Sequence, residues 1–380
     1  MNEAITYITG GESHGPAMSV IVKGLPAGFI LDIDKIDHQL YRRQQGYGRG
    51  GRMSIESDKV KVLSGLRGSM TLASPLTLIV ENKDHANWTK IMDPVAEPAD
   101  ASEKVRVPRP GHADYAGMQK YGFDDIRNVL ERASARETAV RMLPGAVCRQ
   151  FLEALGIRIY SHVIQIGRVR TNDMMPTEGM LKDADASDVR CIDKQAAAAM
   201  RSEIDAAKEE GDSIGGVLQV CVYGLPAGLG SYVHWDEKLS SRIAAEIMGI
   251  QAIKGIEFGA GFGGAMLSGS QYHDAFRLSG RQVERSSNHA GGLEGGVSNG
   301  EAMVFNAVMK PIPTLIKRLD SFDINTMEKM PAHKERTDTC ALPAAAVVAE
   351  NVTARPLLNA VLARYGADRW DVIRQRVMDL

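Results

Sequence analysis

Alternating valines mark two half-buried strands in this chain, Val20 with Val22 and Val220 with Val222. Each pair stands inside a longer repeat. Residues 11–28 read GESHGPAMSVIVKGLPAG and residues 211–228 read GDSIGGVLQVCVYGLPAG, identical at ten of eighteen positions at a constant offset of 200. The shared residues are valines, glycines and a proline, types that set backbone shape. After each GLPAG the period lengthens to four. Ile36 and Leu40 in DIDKIDHQLYRRQ predict one helix. Leu239, Ile243 and Ile247 in WDEKLSSRIAAEI predict another, with Asp236 as its N-cap and Gly249 as its stop. Two halves of strand, turn and helix predict a pseudo-symmetric α/β sandwich, since a period of 200 is far from solenoid spacing. No Pro/Ser run or charge block separates the halves, about 5–200 and 205–365, so residues 1–380 read as one fused unit.

Other segments add elements. SIESDKVKVLSGLRGSMTLASPLTLIVE is patterned as strands with glycine turns. Asp124 or Asp125 opens a helix with Ile126, Val129, Leu130 and Ala133 on one face, running to Pro144. A buried helix begins near Leu342.

One difference between the repeats carries chemistry. His14 in the first copy faces Ile214 in the second, so the turn does not need an imidazole. Either His14 is functional or it is a surface loop histidine. Arg42, Arg43, Arg49 and Arg52 stand in RRQQGYGRGGR with no acid among them, which reads as an anion-binding loop. An exposed loop and an RGG-type RNA segment are the alternatives. RVPRPGHADYAG brings Arg106, Arg109 and His112 onto a constrained loop, followed by Arg132, Arg136 and Arg141 on the helix after it; a solvated face is the alternative there. SNHAGGLEGGVSNGEAM is a glycine-rich approach to an apolar run, MVFNAV, and then Lys310 to Thr314. Asp338 in RTDTC reads as a helix cap or as a carboxylate for proton transfer beside Arg336.

Composition excludes more than it assigns. A net charge of −2 argues against bulk nucleic-acid binding, and no stretch approaches the length of apolar residues that spans a membrane. Cys148, Cys191, Cys221 and Cys340 are scattered and read as reduced thiols, consistent with a cytoplasmic protein. The GxGxxG at Gly259, Gly261 and Gly264 lacks the following helix and the ribose acid of a dinucleotide site. The remaining histidines have no metal-ligand spacing, so no metal is expected.

Taken in order, GESHG with GLPAG, RRQQGYGR, RPGHAD, ERASARET, SNHAGG, GGVSNG, KPIPT and RTDTC resemble chorismate synthase, from about residue 5 to about 365. The resemblance implies an α+β fold, a β-α-β sandwich with an internal pseudo-two-fold repeat, assembled as a homotetramer. It implies a lyase that converts 5-enolpyruvylshikimate 3-phosphate to chorismate by anti-1,4-elimination. This is the last step of the shikimate route to aromatic amino acids, and it needs reduced FMN without net redox change. An NAD(P)H-dependent flavin oxidoreductase is the alternative. By resemblance, His14 protonates the leaving phosphate, His112 supports the reduced flavin, and Asp338 assists proton removal at the flavin. Ser13, Arg43, Arg49, Arg52, Arg109, Arg136 and Arg336 bind the substrate's phosphate and carboxylates. Flavin contacts fall at Arg132, Ala133, Ser134, Gln251, Ala252, Gly295, Lys310, Pro311, Ile312, Pro313, Thr314 and Arg336. Ala133 replaces a serine common in the family, and KPIPT replaces the KPTSS of another branch. With no extra domain, the flavin's electrons are expected from an external flavin reductase, with NADPH as an indirect reductant.

Overall fold

The computed structural model describes residues 3–50, 57–95, 104–171, 175–335 and 337–379. The first half forms strands β1 (Thr6–Gly10) and β2 (Ala17–Lys23), helix α1 (Ile33–Gln44), and strands β3 (Val60–Ser64) and β4 (Leu76–Glu81). Helices α2 (Asp114–Tyr121), α3 (Arg127–Ala133) and α4 (Leu143–Ala154) follow. The second half forms β5 (Arg158–Ile166), β6 (Val169–Arg170), α5 (Lys194–Glu209), β7 (Gly216–Tyr223), α6 (Leu239–Met248), β8 (Ile253–Phe258), β9 (Met303–Met309) and α7 (Leu342–Tyr365), with α8 (Trp370–Met378) last.

Both main sheets are antiparallel. One runs β1-β2-β4-β3 and the other β5-β7-β9-β8, with β6 added beside β5. The order is therefore the same in each half. Register agrees with the alternation: Val20 and Val22, like Val220 and Val222, are fully buried. The helices α1, α4, α6 and α7 fill the space between the sheets.

The GLPAG turns are built alike. Gly24, Gly28, Gly224 and Gly228 all hold positive φ. In the first copy the Thr71 hydroxyl donates to the Pro26 carbonyl and accepts from the Phe29 amide. In the second, the Ser298 hydroxyl does the same for Pro226 and Leu229.

Helix α7 has almost no polar face, as a helix buried on all sides requires. Its closest neighbour is α4, where a Cβ on Gly145 would lie 1.9 Å from the Asn351 carbonyl oxygen. Only glycine lets the two helices approach this closely. Within α7, Glu350 is fully buried and bound by Arg42, Arg149 and the Ser161 hydroxyl. Burial opposes its ionisation, but the arginines hold its carboxyl well below the usual range.

Three expectations change. Asp236 does not cap α6. A 3-10 turn over Trp235–Glu237 intervenes, the N-cap is Lys238, and Asp236 takes a hydrogen bond from His234. The helix expected from Asp124 to Pro144 is broken at Ser134, whose extended backbone (φ −61°, ψ 145°) ends α3. Pro144 does not stop a helix but opens α4, where its missing amide costs nothing.

Candidate active site

A cavity of about 370 Å³ lies between the halves. Its floor is the start of α7, with Ala341, Ala344, Ala345 and Val348. The loops that carried the charged motifs close around it.

Arg43 and Arg136 form the deepest part. They reach it from α1 and from the turn after Ser134, and both are at least 95% buried. One carboxylate, Asp58, serves both: Arg43 Nη2 donates to it at 2.7 Å, and Arg136 Nη1 donates to both its oxygens at 2.8 Å. Two guanidiniums against one carboxylate leave an excess positive charge in a dry pocket. Burial and the neighbouring arginines push Arg43 down to about 10, despite the opposing pull of Asp58. Its Nε is buried without a hydrogen-bond partner.

Arg49 lies 3.3 Å from Asp338, and Asp338 also accepts from the Gly50 amide at 2.6 Å. This contact is possible because residues 48–50 cross residues 337–340 closely: Thr339 and Cys340 both donate to the Gly48 carbonyl. Asp338 is not a helix cap, because α7 begins at Leu342 with Ala341 before it.

His14 sits in the β1–β2 turn, 7% exposed, with its ring 4.2 Å from that of Trp88. Its Nδ1 lies 2.9 Å from a Glu131 carboxylate oxygen. His112 packs its Nδ1 on Asp114, which also receives three hydrogen bonds from Arg109. Burial of Asp114 favours the neutral acid, but His112 and Arg109 override it and hold the carboxyl well below its ordinary value. Arg109 reaches on to the Thr314 hydroxyl at 3.1 Å.

The second half supplies a largely apolar wall, Ile250, Ala252, Met309, Ile312 and Pro313, with Gln251 a polar side chain among them. Ala252 holds φ +67°, a strained conformation for a non-glycine residue. Its carbonyl accepts from the Lys310 amide. Lys310 Nζ donates to the Gly111 carbonyl, and burial lowers its pKa. Gln251 Oε1 is buried with no partner.

Ser13, His14, Arg43, Arg49, Arg109, His112, Ala133, Ser134, Arg136, Gln251, Ala252, Lys310, Ile312, Pro313, Thr314 and Asp338 thus share one cavity. Arg132, Pro311 and Gly295 do not line it. The break at Ser134 sends Arg132 the other way, onto the Gly11 carbonyl, Thr9 and Glu137. Gly295 makes the turn between two short strands at residues 293–298, beside Tyr232. The glycine-rich amides before it are used internally: His289 and Ala290 donate to Asp274, and Gly292 to Asn288. Arg52 and Arg336 lie outside the described residues.

Residues 5–362 match the family described as chorismate synthase. The chain belongs to the chorismate synthase family. It is 50% identical to a chorismate synthase of Geobacillus sp. (strain WCH70) over 376 residues, covering 98% of this chain and 97% of the relative. It is 51% identical to that of Bacillus cytotoxicus over 378 residues, with the same coverage. A crystal structure titled as chorismate synthase superposes with a TM-score of 0.78 at 35% identity, covering 99% of this chain and 96% of that one.

Sequence reasoning passed over the acids that organise this family's basic groups here. Asp114 stood two residues from His112 and five from Arg109, a spacing that could have revealed it. Glu131 stood four residues from Arg127, which it binds, but no spacing tied it to His14, and Asp58 offered no signal, since its partners lie far along the chain.

Proposed function

We propose that this chain eliminates phosphate from 5-enolpyruvylshikimate 3-phosphate to give chorismate, with reduced FMN as cofactor. What carries the reading is the pairing of arginines with histidines in one cavity beside an apolar wall. The substrate bears a phosphate and two carboxylates. Arg43, Arg49, Arg109 and Arg136 focus a positive field there, although the chain's net charge is −2. Guanidiniums already held by Asp58 and Asp114 need little reorganisation to receive an anion.

The residues present also suit a flavin. A flat apolar slot, the unpartnered acceptor Gln251 Oε1 and the cation Lys310 match a ring with N–H donors and a phosphate tail. Ala133, Ser134, Gln251, Ala252, Lys310, Ile312, Pro313 and Thr314 would hold it. When bound, reduced FMN supplies an electron-rich ring and ends the cycle in its starting oxidation state.

The chain's own groups then have separate tasks. His14, fixed at Nδ1, delivers a proton from Nε2 to the departing phosphate. His112, fixed by Asp114, keeps a proton at the flavin wall. Asp338 is a carboxylate that can accept one, tethered by Gly50 and Arg49. Arg43 and Arg136 neutralise charge as it develops on the phosphate. Assembly as a homotetramer, a cytoplasmic location and supply of reduced flavin by a separate reductase belong to the same proposal and rest on family likeness alone.

No observation favours the NAD(P)H-consuming oxidoreductase. The GxGxxG follows a strand of an antiparallel sheet and leads into a 3-10 turn, with Gly259 packed against residues 289–291. The test is an anaerobic assay with and without chemically reduced FMN. Equimolar chorismate and phosphate, formed only with reduced FMN and without its net consumption, are expected. Product formation without flavin, or none with it, would overturn the proposal.

A further inference from the structure

Glu131 gathers His14, its neighbour Ser13 and Arg127 onto one buried residue. Oε2 accepts from the His14 backbone amide at 2.9 Å and lies 2.9 Å from His14 Nδ1. Oε1 lies 3.0 Å from the same ring nitrogen and accepts from Arg127 Nη1 at 2.9 Å. The Glu131 carbonyl accepts the Ser13 amide at 3.1 Å. The residue is 3% exposed. Burial opposes its charge, yet hydrogen bonds from His14 and the nearby Arg127 hold its carboxyl below the ordinary value, so it is ionised. A buried carboxylate accepts and cannot donate. Its contact with Nδ1 therefore requires the proton on Nδ1.

Among the described residues, the other groups packed around the ring make contacts of their own. Trp88 packs against it at a tilt of 35°, and Arg127 lies over the Trp88 ring at 4.9 Å. His85 Nδ1 lies on the His14 carbonyl at 2.9 Å, and Glu335 is bound to His333.

The internal repeat supplies a control. Ile214, the counterpart of His14, donates its amide to the Thr339 carbonyl, a backbone acceptor. Its Ser213 amide is met locally by Asp212, so the turn forms there without an acid brought in from another element. The buried acid is thus tied to the histidine and not to the turn.

We infer that Glu131 is the positioning residue of His14, holding it as the Nδ1–H tautomer so that Nε2 is the nitrogen that exchanges a proton with the ligand. The role of Nε2 rests on the function proposed above, whereas the tautomer does not. Glutamine cannot replace Glu131. Its amide nitrogen must face either the His14 amide or Arg127, both donors.

The test records ¹⁵N-labelled His14 by NMR at a pH where the ring is neutral, with its signals assigned by their absence in His14→Ala. Wild type should show a protonated Nδ1 and an unprotonated Nε2. Glu131→Gln should lose that fixed assignment, and kcat should fall by roughly 10-fold or more with KM within about threefold, as when the carboxylate partner that orients a histidine is lost. Arg127→Met, which removes a different bond to the same carboxylate, should keep the tautomer. An unprotonated Nδ1 in the wild type would overturn the inference without need of any variant. So would Glu131→Gln that keeps both tautomer and kcat. A changed tautomer with unchanged kcat would leave the positioning intact and sink the proton-transfer role of His14.

Discussion

Asp58→Asn removes one charge and almost no volume, and the structure places that charge between two buried cations. Three hydrogen bonds end on its two oxygens, from Arg43 Nη2 and from Arg136 Nη1 to each oxygen. An asparagine must turn its NH2 toward one guanidinium, so at least one contact becomes donor against donor. Breaking a buried ion pair by removing one partner costs about 3–5 kcal/mol, because the remaining charge is left uncompensated. Here two cations are left facing each other, so the upper half of that range is expected. Global stabilities of roughly 5–15 kcal/mol would leave a folded but weakened protein. The assay is urea unfolding, read as a fall in midpoint with unchanged slope. The same substitution makes the pocket more positive. Inorganic phosphate should therefore stabilise Asp58→Asn more than wild type, through preferential binding to the folded state. A loss under about 1 kcal/mol, the range of an exposed pair, would refute the idea that this carboxylate holds the arginines together. Equal stabilisation of both proteins by phosphate would refute the anion site.

Three further outcomes follow from the same geometry. Asp58, Asp114 and Glu350 are all held below their ordinary values, so their stabilisation is present above a pH of about 4 and is lost as pH falls through the folded values; acid titration by circular dichroism should show cooperative unfolding, and unchanged stability on acidification would contradict it. Arg49→Ala should weaken substrate binding to the FMN-loaded enzyme by ~1.5–3 kcal/mol, roughly 10–100-fold, and leave FMN affinity nearly unchanged; equilibrium titration decides. Asp338→Asn can still accept from the Gly50 amide, so its melting temperature should move only a few degrees, while most turnover is lost because an amide cannot take a proton; near-normal turnover with reduced FMN supplied would reduce Asp338 to a tether for Arg49.

The repeat was legible because backbone demands write themselves into sequence. GLPAG appears twice because positive φ at each end of the turn favours glycine. The alternating valines and four-residue spacings reported buried faces directly, and α1 begins after Asp32, whose side chain caps it. Arginines and histidines of the cavity were legible as clusters. Their acids were less so: Asp114 stood at a readable spacing, whereas Asp58 pairs across the fold and leaves none to read. Asp58 sits in a polar stretch like any other, and only the approach of α1 and residue 136 gives it a role. Arg132 lies outside the cavity lining for a local reason. Helical periodicity from Ile126 through Arg141 is continuous in the sequence, and a single extended residue, Ser134, rotates Arg132 and Arg136 to opposite sides. Gly295 was named by resemblance alone, and glycines in such a stretch also serve close backbone packing. A Cβ on neighbouring Gly296 would meet Lys238 at 2.4 Å.

The central claim is that the cavity is a site of chemistry in which His14 moves a proton, while its counterpart Ile214 shows that the turn folds without an imidazole. Single-turnover phosphate release by His14→Ala, under anaerobic conditions with reduced FMN, tests it most directly. The substitution removes a buried ring and its packing against Trp88, so about 1–3 kcal/mol of stability should be lost. The account predicts that the protein still folds and binds substrate, and that phosphate release slows by roughly 10²–10⁴-fold. Release at the wild-type rate in protein of lowered melting temperature would contradict it, and would make His14 a packing residue.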